Sequence, residues 1–341
     1  MPELRQNFFT KEWVIIATER AKRPEELATH RAAQPVPAFV EDCPFCPGNE
    51  SKTPQEVLRY PASGERWEVR VIPNKFAALS SEVQPTRSLQ HLRRRIAGFG
   101  FHEVIIDSPD HSRYMGLLPD ANVASILRVY KERYNALSFD HRVNHITIFK
   151  NHGVDAGASL QHPHSQLIAT PVIPSQVRHR LNEALRHYDD VGECMFCQMV
   201  ASEVEDQTRI VLKSERSVAM EVFASATPFA THIFPAAPHG ELRGHLRDGG
   251  RRPGTGSADA AGKDLRGVGE SRLEFHGAQW AGGIFRCAAL SLVRQRDPAA
   301  DRVAGFELGS GMFINTVLPE AAAEFLRKVA VEKVAGAGAG Q

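Results

Sequence analysis

The sequence predicts an α+β fold built from two similar halves, and three observations carry that expectation. Short runs rich in β-branched residues recur along the chain, and the segment between two of them repeats its apolar residues at helical spacing. Each half also opens on a Cys-x-x-Cys pair that leads into strands. A motif that returns together with its sequel points to internal duplication. The expected division is 1–175 and 176–341, with the boundary inside 172–192, and 341 residues suffice for two cores of ordinary size.

In the first half, Glu103–Asp107 and His145–Phe149 read as strands. Between them Asp120 is placed to cap a helix in which Val123, Ile126, Leu127, Tyr130, Tyr134 and Leu137 share one face. Those aromatics read as core. Ser165–Thr170 continues as a strand and stops at Pro171 and Pro174. A second helix, about Gln176 to Tyr188, carries His179 and His187 on an exposed face. After Cys194 and Cys197 come strand-like Thr208–Lys213, Val218–Phe223 and Pro228–Pro235. Residues 236–301 then hold 12 of the 26 glycines and almost no periodic apolar pattern, so that span is expected to be irregular. A structureless insert of that length inside a compact domain is itself unusual. Order resumes at Arg302–Glu307 and in a final helix from about Glu320, and 335–341 is a low-complexity tail.

Bulk properties exclude several function classes. A net charge of +1 with 24% charged residues gives no field for nucleic acid or a membrane surface. No apolar run is long enough to span a bilayer, and Met1-Pro2-Glu3-Leu4-Arg5 is not a signal peptide, so a cytoplasmic protein is expected. In a reducing compartment, cysteine pairs read as metal ligands rather than disulfides. The redox alternative needs a helix starting at the motif, and Cys43-Pro44-Phe45-Cys46-Pro47-Gly48 has helix breakers there. Cys287 stands alone.

The chemistry concentrates in Gln161-His162-Pro163-His164-Ser165-Gln166. In an extended segment alternate side chains share a face, so His162, His164 and Gln166 form a polar row beside a buried sheet. One histidine can hold a metal, the next can attack an electrophile, and the glutamine can hydrogen-bond an oxyanion.

Taken with Arg20-Ala21-Lys22-Arg23-Pro24, the Cys43/Cys46 pair, Val71 through Leu79 and Ser108-Pro109-Asp110-His111, this row resembles the galactose-1-phosphate uridylyltransferase family, a tandem branch of the histidine-triad superfamily. The likeness spans residues 1–235 and 302–327. It implies two tandem histidine-triad-like domains, each an antiparallel sheet with packed helices. It also implies a ping-pong reaction: the residue at His164 takes UMP from UDP-glucose as a covalent uridylyl-histidine, and galactose 1-phosphate then carries it away. Gln166, unlike the histidine of hydrolases in the superfamily, cannot protonate a leaving group, which suits a site that must preserve its intermediate.

By the same likeness Cys43, Cys46, His111 and His162 match zinc ligands, a closed Cys2His2 set and hence structural. For His111 a turn-capping role after Pro109-Asp110 is the alternative. Arg23, Asn74, Phe76, Asn151 and Ser159 would line the nucleotide and phosphate pocket. Arg20 falls near the phosphates or in a surface ion pair, and Glu307 touches the hexose or is an exposed carboxylate. A homodimer is also implied.

The chain departs from the family across 236–301, where a His-rich segment is expected. Reread from the second base of each codon, Phe285–Asp301 can encode Ser-Ala-Ala-Pro-His-Tyr-His-Trp-Tyr-Val-Ser-Val-Ile-Pro-Arg-Leu-Thr, the expected kind of sequence. A pair of compensating frameshifts is the favoured reading. On that reading Cys194 and Cys197 are half of a second metal site whose histidines lie in the other frame, with His239 a poor substitute. Two rivals stand beside uridylyl transfer: adenylyl transfer from ADP-glucose to phosphate, and a zinc-containing homologue whose catalysis has decayed.

Overall fold

The computed structural model describes residues 1–19, 36–64, 66–151, 160–236, 271–278, 289–294 and 305–328. Arg20, Arg23, Ser159, His239, Cys287 and the tail 335–341 lie outside the described residues.

In chain order the strands of the first half are β1 (Glu3–Gln6), β2 (Trp13–Ile16), β3 (Leu58–Tyr60), β4 (Val69–Pro73), β5 (Arg87–Gln90), β6 (Arg93–Ile96) and β7 (Phe101–Ile106). Helix α1 (Asp120–Ser138) and strands β8 (His145–Lys150) and β9 (His164–Thr170) follow. The second half runs α2 (Ser175–Val191), α3 (Met195–Asp206), β10 (Ile210–Lys213), β11 (Ser217–Glu221), β12 (Ala230–Pro235), β13 (Ser271–Ala278) and β14 (Ala289–Arg294). A short helix (Gly305–Ser310), β15 (Phe313–Asn315) and a terminal helix (Pro319–Lys328) complete it.

The fold is α+β, as expected. Both halves feed one ten-stranded sheet, ordered β10-β11-β12-β14-β13-β8-β9-β7-β4-β3. The two runs of five strands meet where β13 pairs antiparallel with β8, Phe275 opposite Ile148. Two strands therefore fall inside 236–301, where the sequence pattern predicts none. Leu290 and Leu292 do alternate in the sequence, but six residues are too few to stand out beside the glycines. Pairing on both flanks supplies what the pattern lacks, because β13 and β14 occupy the edges that β8 and β12 would otherwise leave open.

Helix α1 closes one face of the sheet, packing Val123, Ile126, Val129 and Tyr130 against Val71, Ile105, Ile148 and Leu167. Each such buried aliphatic side chain contributes about 1.5–3 kcal/mol. Its start differs slightly from expectation: Pro119 holds the cap position and Asp120 is the first helical residue, with no side-chain cap bond. A carboxylate in the first turn still favours the helix through the macrodipole. Against the other face sit Phe45, Cys46 and Trp67, on Ile72, Val104 and Ile106. At the mouth of β7, Gly100 has φ +156°, and a Cβ there would fall 2.3 Å from the Ala169 carbonyl oxygen, so only glycine lets β7 approach β9.

Helix α2 forms where predicted, with His179 exposed and its Nε2–H donating to the Thr10 carbonyl (2.7 Å). His187 is half-buried rather than free on the surface: its Nε2 lies 2.7 Å from Gln198 and its ring meets Phe8 edge-on. No helix among the described residues is long and apolar enough to cross a membrane.

Candidate active site and metal centre

β9 carries the site. It is a central strand, paired on one side with β7 (Ile106 opposite His164, Val104 opposite Gln166) and on the other with β8 (Phe149 opposite Gln166). Alternation along it sends His164, Gln166 and Ile168 to one face and Ser165, Leu167 and Ala169 to the other. The strand begins only at His164, so His162 belongs to the bend before it rather than to an extended row.

That bend turns His162 into the metal-type cluster. Cys43, Cys46, His111 and His162 are all buried, and their ligand atoms lie within 4.8 Å of one another. His162 Nδ1 is 3.7 Å from Cys43 Sγ, 3.6 Å from Cys46 Sγ and 3.2 Å from His111 Nδ1, and Cys46 Sγ is 3.5 Å from His111 Nδ1. A tetrahedral zinc with bonds of about 2.0–2.1 Å to nitrogen and about 2.3 Å to sulfur requires N–S edges of about 3.6 Å and an N–N edge of about 3.3 Å. The four residues fit that ion. Burial pulls His162 down to about 4, so its imidazole is neutral. Its Nε2–H donates to the Ser108 carbonyl (2.8 Å), leaving Nδ1 as the ligand atom. Burial pushes the Cys46 thiol up, and a dication at this point reverses that and takes the thiolate. The turn-capping alternative for His111 gives way to this geometry.

His164 stands two residues further on, 8% exposed. Its Nδ1 is 2.8 Å from the His162 carbonyl oxygen, so Nδ1–H donates there and the Nε2 lone pair remains. Burial holds the imidazole below its ordinary value, hence neutral near pH 7. Gln166 is half-buried, with Oε1 2.9 Å from His102 Nε2. Phe76 is 84% exposed on the loop after β4, where Asn74 Oδ1 accepts from the Phe76 N–H (2.8 Å). Asn151 follows β8, and continuing the β8–β9 register sets it beside His164. Its Oδ1 is buried with no hydrogen-bond partner among the described residues. Thus Cys43, Cys46, His111 and His162 gather at the start of β9 beside His164, and Asn74 and Gln166 meet at His102 further along the strand.

Other predicted residues are elsewhere. Glu307 is half-buried on the short helix preceding β15, which joins β1 and β2 in a separate three-stranded sheet. Cys194 and Cys197 open helix α3, and burial pushes the Cys197 thiol up to about 11. Among the described residues only the Cys43 cluster gathers three or more metal-type ligands.

Beneath β9, on the face opposite His164, sits a polar group that sequence reasoning missed. Lys150 Nζ contacts Asp107 Oδ2 at 2.5 Å, with side chains 5% and 0% exposed. Ser165 Oγ donates to the same carboxylate (2.9 and 3.0 Å), and the Tyr130 hydroxyl bonds Ser165. Burial first, then the Asp107 charge, hold the Tyr130 phenol well above its ordinary range, so it is a donor. The one signal in the sequence was a charged residue closing each of two apolar strands, Asp107 after β7 and Lys150 at the end of β8. His102 was missed too; it shows only as a polar residue at period 2 on β7.

Residues 1–174 match the family described as galactose-1-phosphate uridyl transferase, N-terminal domain. The chain belongs to that family. It is 33% identical to ADP-glucose phosphorylase of Arabidopsis thaliana over 97% of this chain and 93% of that protein. It is 28% identical to galactose-1-phosphate uridylyltransferase of Thermotoga maritima over 69% of this chain and 67% of the relative. The crystal structure of the Arabidopsis thaliana ADP-glucose phosphorylase with bound ADP-glucose superposes with a TM-score of 0.79 at 30% identity, covering 97% of this chain and 99% of that one. The protein is thus an enzyme-family member of the nucleotidyltransferase and phosphorylase type.

Proposed function

We propose that this chain transfers a nucleotidyl group through a covalent histidine intermediate, with ADP-glucose as donor and inorganic phosphate as acceptor. The observation that carries the mechanism is the fixed tautomer of His164, Nδ1–H on the His162 carbonyl and Nε2 unprotonated. Nε2 attacks the α-phosphorus, the bond to the bridging oxygen breaks, and glucose 1-phosphate leaves with its electron pair. A phosphate oxygen then attacks the same phosphorus from the opposite side, restores neutral His164 and yields ADP. The transition state needs positioning and donors to the equatorial oxygens more than it needs an acid. Gln166 supplies an amide donor and cannot protonate the leaving group. Asn74 and Asn151 stand where further amide donors are useful, and Phe76 offers a ring for a base to stack on. Cys43, Cys46, His111 and His162 would hold a zinc that supplies no chemistry to the substrate and would fix the bend that delivers His164.

The choice of adenine over uracil rests on similarity to ADP-glucose phosphorylase along nearly the whole chain, against about two thirds for the uridylyltransferase. It reverses the order in which the sequence alone ranks the two donors. The test is incubation with ADP-glucose or UDP-glucose and detection of an acid-labile adduct. Adenylyl on His164 supports this reading, uridylyl supports UMP transfer to a hexose 1-phosphate, and neither indicates a decayed homologue. His164→Ala should abolish any adduct.

A further inference from the structure

Resting on the transfer reading above, we infer that His102 is a positioning residue that sets the polarity of Gln166 and ties it to the loop bearing Phe76. A glutamine amide fits its pocket in two orientations of nearly equal size, yet only one presents N–H to a phosphoryl oxygen. The other presents a carbonyl and repels the developing charge. Something must choose between them, and the Ala78–His102–Gln166 chain of contacts does so.

The choice begins at a backbone amide, which can only donate. The Ala78 N–H points at His102 Nδ1 (3.1 Å), so Nδ1 is an acceptor and carries no proton. In a neutral imidazole the other nitrogen is then the donor. Nε2–H therefore donates to Gln166 Oε1 at 2.9 Å. With its oxygen engaged on His102, Gln166 is left with its NH2 for the reacting phosphate. The Asn74 amide nitrogen, 3.1 Å from the same Nε2, cannot donate to a protonated nitrogen, and the Asn74 oxygen is engaged by the Phe76 N–H.

His102 also holds the loop. Its carbonyl accepts from the Asn74 N–H (2.8 Å), so the segment from Asn74 to Ala78 is pinned to this one residue at main chain and ring. The ring sits on the same face of the sheet as His164 and Gln166, since His102 lies opposite Ile168 and Val104 opposite Gln166. Anything that displaces the loop disturbs the catalytic amide through two hydrogen bonds.

The experiment is a double-mutant cycle read as the single-turnover rate of adduct formation with ADP-glucose and, separately, UDP-glucose. His102→Leu should slow formation about ten- to hundredfold, while the half-saturating donor concentration moves less than about threefold. His102→Gln, which keeps a donor for Oε1, should recover part of the rate. In a Gln166→Ala background His102→Leu should cost less than about threefold further, the part owed to the loop, because its amide partner is gone. Losses that multiply, a defect confined to the half-saturating concentration, or a His102→Leu protein as fast as its parent would overturn the inference. A parent that forms no adduct with either donor retires the transfer reading alone. The inference is then still decided by 15N NMR of the parent, with the His102 resonance assigned by its loss in His102→Leu. Protonated Nε2 and bare Nδ1, changed by Gln166→Ala, are expected, and the opposite tautomer overturns it.

Discussion

Lys150→Met isolates the buried ion pair under the strand that carries His164. In the parent, the Asp107 carboxylate is fully enclosed and satisfied by Lys150 at 2.5 Å and Ser165 at 2.9 and 3.0 Å. Methionine keeps the volume and removes the charge, so Asp107 is left as a carboxylate without a counter-ion in a place water does not reach. Breaking one side of a buried pair costs about 3–5 kcal/mol, a large share of the about 5–15 kcal/mol that separates folded from unfolded states. The hydroxyls of Ser165 and Tyr130 offset part of this, which sets the expectation at the lower end, about 3 kcal/mol. Urea unfolding followed by far-UV circular dichroism should show the loss as a lower midpoint at unchanged slope. The double variant Lys150→Met/Asp107→Leu should recover most of it, because an apolar pair leaves no orphan charge. A single variant within about 1 kcal/mol of the parent, or a double variant as unstable as the single, would refute the account.

Three further outcomes follow from the same geometry. Cys46→Ser should drop bound zinc, measured by atomic emission, from about one per chain and lower the melting temperature, and a strong chelator should destabilise the parent but not the variant. Glu221 is fully buried, bonded to Thr231 through one oxygen only, and burial raises it from 4.5 to about 7. A carboxyl whose folded value is raised holds its proton after the unfolded chain has lost it, so stability is highest below about 4.5 and falls by about 3 kcal/mol as pH rises to 7. Glu221→Gln should match the parent near pH 4.5 and exceed it at pH 8 in urea titrations, and parallel curves would sink the assignment. A protein with the reading frame restored across 236–301 should melt higher and form adduct faster, and equality on both counts would argue against a frameshift.

Much of the site was legible because its chemistry needs rare residues at fixed spacing. The cysteine pair, His111 and the His162–Gln166 row could be read from composition and likeness alone, and the structure brings the four ligand-type groups together. Strands β7, β8, β9 and helix α1 were visible because their apolar periods are long enough to count. Helix α3 was not, although Met195, Met199, Val200 and Glu203 share its buried face, because the Cys194/Cys197 pair at its start reads as a ligand motif and Val200 and Val204 are weak helix formers. The hairpin of β5 and β6 is arginine-rich and exposed on nearly every residue, so it has no alternation to read. His102, Asp107 and Lys150 were hidden for a different reason. Their roles come from neighbours 24 to 64 positions away in sequence, and no local pattern encodes such a partner.

The arrangement explains how one strand can hold His164 in a fixed place without a rigid loop to brace it. A slip of β9 by one residue would move His164 and Gln166 into the α1 core and bring Ser165 to the site. Pairing with β7 and β8 alone resists this weakly, since backbone ladders accept either register. The side chains do not. On one face the bend before His164 is tied to the ligand cluster through His162, and the cluster reaches back to Cys43 and Cys46 in a separate segment. On the other, Ser165 is locked between Asp107 and Tyr130, one on β7's end and one on α1. A slipped strand would orphan a buried carboxylate and dismantle the four-ligand site at once, two costs of several kcal/mol each. The register of β9 is therefore fixed by buried polar contacts on both sides of the strand.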